Sequence, residues 1–156
     1  MPRFDGGTAE AESARVSDPF RLQRFVDAQD RDGTFDQAVR ELRAGRKHSH
    51  WMWFVFPQVA GLGSSPMAQH YAINGLAEAE AYLAHPVLRR RLVECARVLT
   101  ELDTADPEQV FGPVDARKLQ SSMTLFATAA PEEPLFRAVL DRYFGGSADE
   151  GTTSRL

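Results

Sequence analysis

Lys47-His48-Ser49-His50-Trp51-Met52-Trp53-Phe54-Val55-Phe56-Pro57-Gln58 holds both tryptophans of the chain and two of its four histidines. A basic, hydroxyl-bearing opening runs straight into the apolar residues Trp51 to Phe56, and Pro57 closes the run. That run is too short to force a helix. It reads either as an extended segment or as one or two tight helical turns inside a core. In both readings the stretch anchors a domain and holds a polar cluster at its edge.

Toward the N-terminus the pattern is helical. Gly45 is a natural stop for a helix in which Phe35, Ala38, Val39 and Leu42 recur at three and four residues, capped by Thr34 after the break at Gly33. Before it, Asp18-Pro19 supplies an N-cap and a first-turn proline for a helix ending near Asp30. Phe20, Leu22, Phe25 and Val26 suit its inner face. The short link between these helices favours an antiparallel pair. Met1 to Val16 has few large apolar residues and no clear period, so residues 1–16 read as a disordered tail. It lacks an apolar signal core, and secretion is not indicated.

Toward the C-terminus, Gly61, Gly63, Ser64 and Ser65 make a loop, and Pro66 opens a short helix reaching Tyr71 or Ala72. Asn74 is the expected cap of the next helix, whose stripe is Leu76, Ala79, Tyr82 and Leu83. It stops at His85-Pro86, because a residue before proline is driven out of the α region. Pro86 opens the clearest helix, with Leu88, Leu92, Cys95, Ala96, Leu99 and Leu102 on one side and a charged face opposite. A short helix from Asp106-Pro107 to Phe111-Gly112 follows. Another runs over Asp115 to Thr128 with Leu119, Met123 and Phe126 inward. The last begins at Glu133-Pro134 and ends at Gly145-Gly146. Seven or so helices without an alternating strand pattern or internal repeat predict an all-α or mostly-α single domain over residues 17–146. Residues 147–156 read as a polar tail that folds back or frays.

Composition bounds the function classes. The 156 residues are 43% hydrophobic and 26% charged, ordinary for a soluble globular domain. A net charge of −4 gives the whole molecule no electrostatic reason to seek nucleic acid or an anionic membrane. No apolar run approaches a membrane span. The single cysteine, Cys95, cannot form an internal disulfide; it reads as a buried structural thiol and fits a reducing, cytoplasmic setting.

Several motifs together resemble the bacterial domain of unknown function eighteen-ten, whose members are often mislabelled "calpastatin". They are Asp18-Pro19-Phe20, Arg24-Phe25-Val26, Glu41-Leu42 with Gly45, Ser49-His50-Trp51-Met52-Trp53-Phe54 and Phe56-Pro57-Gln58. They continue in Gly61-Leu62-Gly63, Tyr71-Ala72-Ile73, Tyr82-Leu83 with His85-Pro86, Lys118-Leu119 and Ser121-Ser122-Met123-Thr124-Leu125-Phe126. The resemblance spans roughly Asp18 to Gly146. Arg89 stands where the family has glycine, and Gln120 where it often has arginine. A small, mostly helical fold is implied, and no activity.

The residues themselves suggest three chemistries. Lys47, Ser49 and His50, with the later Lys118, Ser121 and Ser122, supply cations and hydroxyls suited to phosphate or carboxylate. If the fold joins these segments, Trp51 and Trp53 would floor a pocket for a small anionic ligand such as a nucleotide or an ADP-ribose-like molecule. The bland alternative makes the tryptophans core, Ser49 and Thr124 caps, and the lysines solvated, leaving a protein-interaction module. An enzyme would use His50 as general base, with Ser49, Ser121, Ser122 or Tyr71 nearby. No nucleophile-elbow pattern supports it. A metal site is weaker still, since His48 and His50 share a face only in an extended segment, and His70 and His85 stand alone; His85 reads as a cap. Gly61-Leu62-Gly63-Ser64 lacks the strand and the Gly-Lys-Thr of a phosphate loop. The expectation is therefore an anion-binding protein without cofactor, metal, nucleic-acid or membrane partner, acting as a monomer.

Overall fold

The run Trp51 to Phe56 folds as a single helical turn, Met52–Val55, with Trp53 the one residue of the run not buried. The extended alternative does not occur. The structure, a computed structural model, describes residues 18–156. The expected tail over residues 1–16 lies outside them. Among the described residues there are nine α-helical segments and no strand, only an isolated bridge between Val59 and Ile73.

The elements are α1 (Gln23–Asp30), a 3-10 turn (Arg31–Gly33), α2 (Thr34–Arg43), α3 (Met52–Val55), α4 (Pro66–His70) and α5 (Leu76–Ala84). They continue with α6 (Pro86–Glu101), α7 (Pro107–Ala129), α8 (Pro134–Phe144) and α9 (Glu150–Thr153). α7 is the central helix. It packs against α5, α8 and α9, and every residue from Ser121 to Ala127 is buried. Only a helix covered all round can do that. An aromatic chain ties the layers together: Phe25 of α1 meets Tyr82 of α5 edge-on at 5.2 Å, Tyr82 meets Phe126 of α7, and Phe126 meets Phe136 of α8.

Local chemistry sets the boundaries. His85, Asp106 and Glu133 each precede a proline and accept a backbone N–H of the first turn, from Leu88, Glu108 and Leu135 respectively. Gly45, at φ +78°, lets the amide of Arg46 reach back to the carbonyl of Glu41 and close α2. Three expectations shift. Asp18 does cap α1, its carboxylate accepting from Leu22 and Gln23 N–H, but an intervening turn delays the regular helix to Gln23. Gly33 occupies the cap of α2, and Thr34 donates its hydroxyl to the Arg31 carbonyl instead. Gly75 is the cap of α5, while Asn74 donates to the Glu78 carboxylate reaching back. The two helices expected over 107–128 are both present: α7 is broken between them at Gly112, whose φ of +79° and ψ of 166° only glycine adopts without strain.

The segment after Gly146 folds back. Gln120 donates to the Ser147 carbonyl, the Asp149 amide donates to Thr124, and Thr152 is buried against α7. The last residues reach the glycine loop, where Arg155 packs so closely on Gly61 that a Cβ there would meet its Nε at 2.8 Å.

A buried ion pair fastens the N-terminal turn to the rest. The Arg24 guanidinium donates to the Glu78 carboxylate at 2.9 Å and to the carbonyls of Phe20, Arg21, His70 and Ala72. Its side chain is 8% exposed and that of Glu78 1%. Removing the arginine strands a buried carboxylate. Arg24→Ala is expected to cost about 3–5 kcal/mol, read as a lower urea midpoint at an unchanged slope; a loss below about 1 kcal/mol would contradict this account.

Candidate functional site

The polar opening of the central stretch is organised by Glu41, a carboxylate on the inner face of α2 and 4% exposed. It accepts hydrogen bonds from the amides of His48 and Ser49, the Ser49 hydroxyl, the Trp51 indole N–H and the Gln37 amide group. Burial alone would raise its pKa; the converging donors, Ser49 foremost, outweigh that and hold it down at about 2. Ser49 is therefore committed to Glu41. Trp51, fully enclosed, is a core residue with its polar end satisfied.

The fold brings the two sequence-distant segments together. The Lys47 amide donates to the Val110 carbonyl, and its ammonium lies 2.9 Å from Asp115 of α7. The other oxygen of Asp115 takes Lys118 at 3.3 Å. Each lysine also sits over a tryptophan: Lys47 is 5.0 Å from the Trp51 ring, and Lys118 is 5.2 Å from that of Trp53. The pairs differ in exposure. Lys47 is 8% exposed and fixed, whereas Lys118 is 25% exposed and faces a groove.

That groove, about 480 Å³, runs between the glycine loop, α7 and the folded-back C-terminal segment. Trp53, Leu62 and Val114 give it apolar walls. Arg117 and Lys118 supply cations, Ser64, Ser65 and Ser121 hydroxyls, and Asp149 a carboxylate. Gly63 allows the loop to close on α4, since a Cβ there would lie 2.7 Å from that of Ala68. Ser65 is partly occupied as the cap of α4, accepting from the Ala68 amide.

The expected site residues thus divide. Trp53, Lys118 and Ser121 line the groove, and Lys47, Ser49 and Trp51 stand behind it, which corrects the notion of two tryptophans flooring one pocket. Ser122 is fully buried on another side of α7, its hydroxyl without a hydrogen-bond partner among the described residues, so it cannot touch a ligand there. His50 is exposed and does not line the groove; His48 is exposed as well. His85 caps α6 as its position before Pro86 predicts. Among the described residues no three His, Cys, Asp or Glu side chains gather as a metal would require. Burial pushes the Cys95 thiol far up from its ordinary value, which fits a structural role.

Four residues went unread in the sequence. Glu41 had a signal: it sits at the three-residue step from Ala38, inside the apolar stripe of α2, where an unpaired carboxylate would be costly. Asp115 and Arg117 lie in a helix whose inner face alone was legible. Asp149 falls in a segment of ordinary polar residues and carries no local signal at all.

The chain belongs to the family described as "Protein of unknown function (DUF1810)", which matches residues 19–156. The match continues through the folded-back segment to the last residue. The crystal structure of the conserved hypothetical protein Rv1873 from Mycobacterium tuberculosis is similar to this fold, with a TM-score of 0.86 and 51% sequence identity. The similarity covers 89% of this chain and 98% of that one. No curated protein matches the chain. No helix among the described residues is long and apolar enough to cross a membrane.

Glu41 gives the stability of the protein an acid limb. Its pKa falls from an ordinary 4.5 to about 2 on folding, so its contribution is complete above the unfolded value and is lost as pH falls through the folded one. The shift corresponds to about 3 kcal/mol. Glu41→Gln should cost about 1–3 kcal/mol at neutral pH by replacing an oxygen that accepts from Gln37 and the Ser49 hydroxyl with a donor, and should flatten the loss of stability between those two pH values. Urea melts of both proteins across that window measure it; parallel acid limbs would contradict the assignment.

Proposed function

We propose that this protein is a cytoplasmic monomer that binds a small anionic ligand, nucleotide or ADP-ribose-like, in the groove beside Trp53. The observation that supports it is the convergence of the half-buried Trp53 ring, the Arg117 and Lys118 cations and the Ser64, Ser65 and Ser121 hydroxyls around one groove. Arginine grips phosphate or carboxylate through paired N–H groups, and lysine adds a mobile point charge. An indole face stacks on a flat ring. A volume of about 480 Å³ lies within the range of small-molecule sites.

Lys118 now covers the Trp53 ring. A flat group arriving there displaces the ammonium, which then meets the phosphate of the same ligand. Asp115 stays neutralised meanwhile, because the better buried Lys47 holds its other oxygen. With a molecular charge of −4, long-range attraction for anions is absent, so affinity depends on these local cations and weakens with salt. An enzyme using His50 as general base has no comparable support, since His50 stands away from the groove lining. Nor does the interaction-module reading gain from it, since Lys47 and Lys118 share Asp115 and Trp53 is only half-buried.

The test is a thermal-shift screen of nucleotides, ADP-ribose and sugar phosphates against the wild-type chain, Arg117→Ala and Lys118→Ala. A ligand at about 100 times its dissociation constant adds about 2.7 kcal/mol, a rise in midpoint of several degrees. The two variants should fold, and should lose most of that rise. No shift from any compound, or a shift that both variants keep, would overturn the proposal.

A further inference from the structure

The groove has two chemically opposite ends. Arg117 and Lys118 lie on α7 one helical turn before Ser121, and Ser121 donates its hydroxyl toward Asp149 at 3.1 Å. The positions on α7 that carry the cations and the one that meets the carboxylate are therefore about one turn apart, roughly 5.4 Å along the helix. Asp149 comes from the folded-back segment and is held firmly. Ser121, the Thr152 amide and the Thr152 hydroxyl all converge on its Oδ2, while its own amide donates to Thr124. No hydrogen bond from the described residues uses Oδ1, and the residue lines the groove beside Ser121 and Arg117.

A carboxylate in an anion-binding groove has a definite effect. It repels any second anionic group and favours hydroxyl donors, each of which gains a charge-assisted hydrogen bond. One helical turn is about the reach from a phosphate to the hydroxyls of the sugar that carries it. Resting on the ligand-binding reading above, we infer that Asp149 is a specificity residue of this groove. It accepts the hydroxyl protons of a sugar whose phosphate lies at Arg117 and Lys118, and it excludes a phosphate from that end. The ligand class is thereby narrowed to monophosphorylated or 5′-linked ribose derivatives with free hydroxyls. Deoxy sugars and sugars phosphorylated at both ends are poor ligands. The acid works as a discriminator because the site leaves it unmatched when the hydroxyl is missing.

Asn is as good a helix N-cap as Asp, and its oxygen can accept the same three donors, so Asp149→Asn removes the charge and keeps the cap of α9. The experiment measures affinities of adenosine 5′-monophosphate, its 2′-deoxy analogue and adenosine 3′,5′-bisphosphate by quenching of tryptophan fluorescence, in the wild-type full chain and in D149N. The wild type should bind the ribonucleotide roughly tenfold or more tightly than the other two. D149N should bring all three within about threefold, chiefly by binding the bisphosphate better. Equal affinities in the wild type, or a preference that D149N keeps, would overturn the role of Asp149 and leave the ligand reading standing. Failure of all three compounds to bind the wild type would overturn this inference, and the ligand reading falls with it when the wider screen of ADP-ribose and sugar phosphates gives no shift either. The wild-type comparison needs no variant, so it decides even if D149N loses its fold.

Discussion

A carboxylate withdrawn from water has to be supplied with donors, and Glu41 draws four of its five from the loop that follows its own helix. The amides of His48 and Ser49, the Ser49 hydroxyl and the Trp51 indole all close on it. This one demand bends residues 46 to 51 back over α2. The bend delivers Trp51 into the core and turns the Lys47 ammonium toward α7. The placement of α3, the contact of Phe56 with Phe111 and the approach of Lys47 to Asp115 follow from it.

Two charge pairs are withdrawn from water in this protein, while other cations face the groove. Arg24 and Glu78 satisfy each other deep in the structure, and Lys47 is matched to Asp115 with little contact to water. Buried pairs of this kind contribute more to fixing one arrangement than to net stability. Arg117 and Lys118 are different. The first is exposed, the second shares a carboxylate already taken by Lys47, and both face the groove. A net negative molecule thus keeps a local surplus of positive charge where its one half-buried tryptophan is also found.

The C-terminal segment completes the groove. Asp149 ties Ser121 and Thr124 of α7 to the cap of α9, and Arg155 packs on the glycine loop at Gly61. One wall of the groove is therefore supplied by residues that contribute almost nothing to the main core, apart from the buried Thr152. Their position depends on a few polar bonds, in contrast to the aromatic chain from Phe25 to Phe136 that holds the helices.

By itself the sequence determined the helical class, most helix starts and the inner faces. Proline after a capping residue at Asp106 and Glu133, glycine at 45 and 145, and three-to-four spacing of apolar residues are local signals with local causes. Periodicity was equally sufficient to put Leu92, Cys95, Leu119 and Phe126 inside. The short run at Trp51 to Phe56 was undecidable locally, because a buried turn and a buried strand have the same apolar composition; burial against α1 and Phe111 selected the turn. The lining of the candidate groove was legible only in part. Lys118, Ser121 and Trp53 could be named because their residue types are rare together, but which of two tryptophans faced solvent depended on where Glu41 found its donors. Asp115 and Asp149 acquire their meaning from partners distant in the chain, Lys47 and Ser121, and Arg117 from the groove it lines. Pairing of charges across such distances leaves no periodic trace, so only the tertiary structure could decide it.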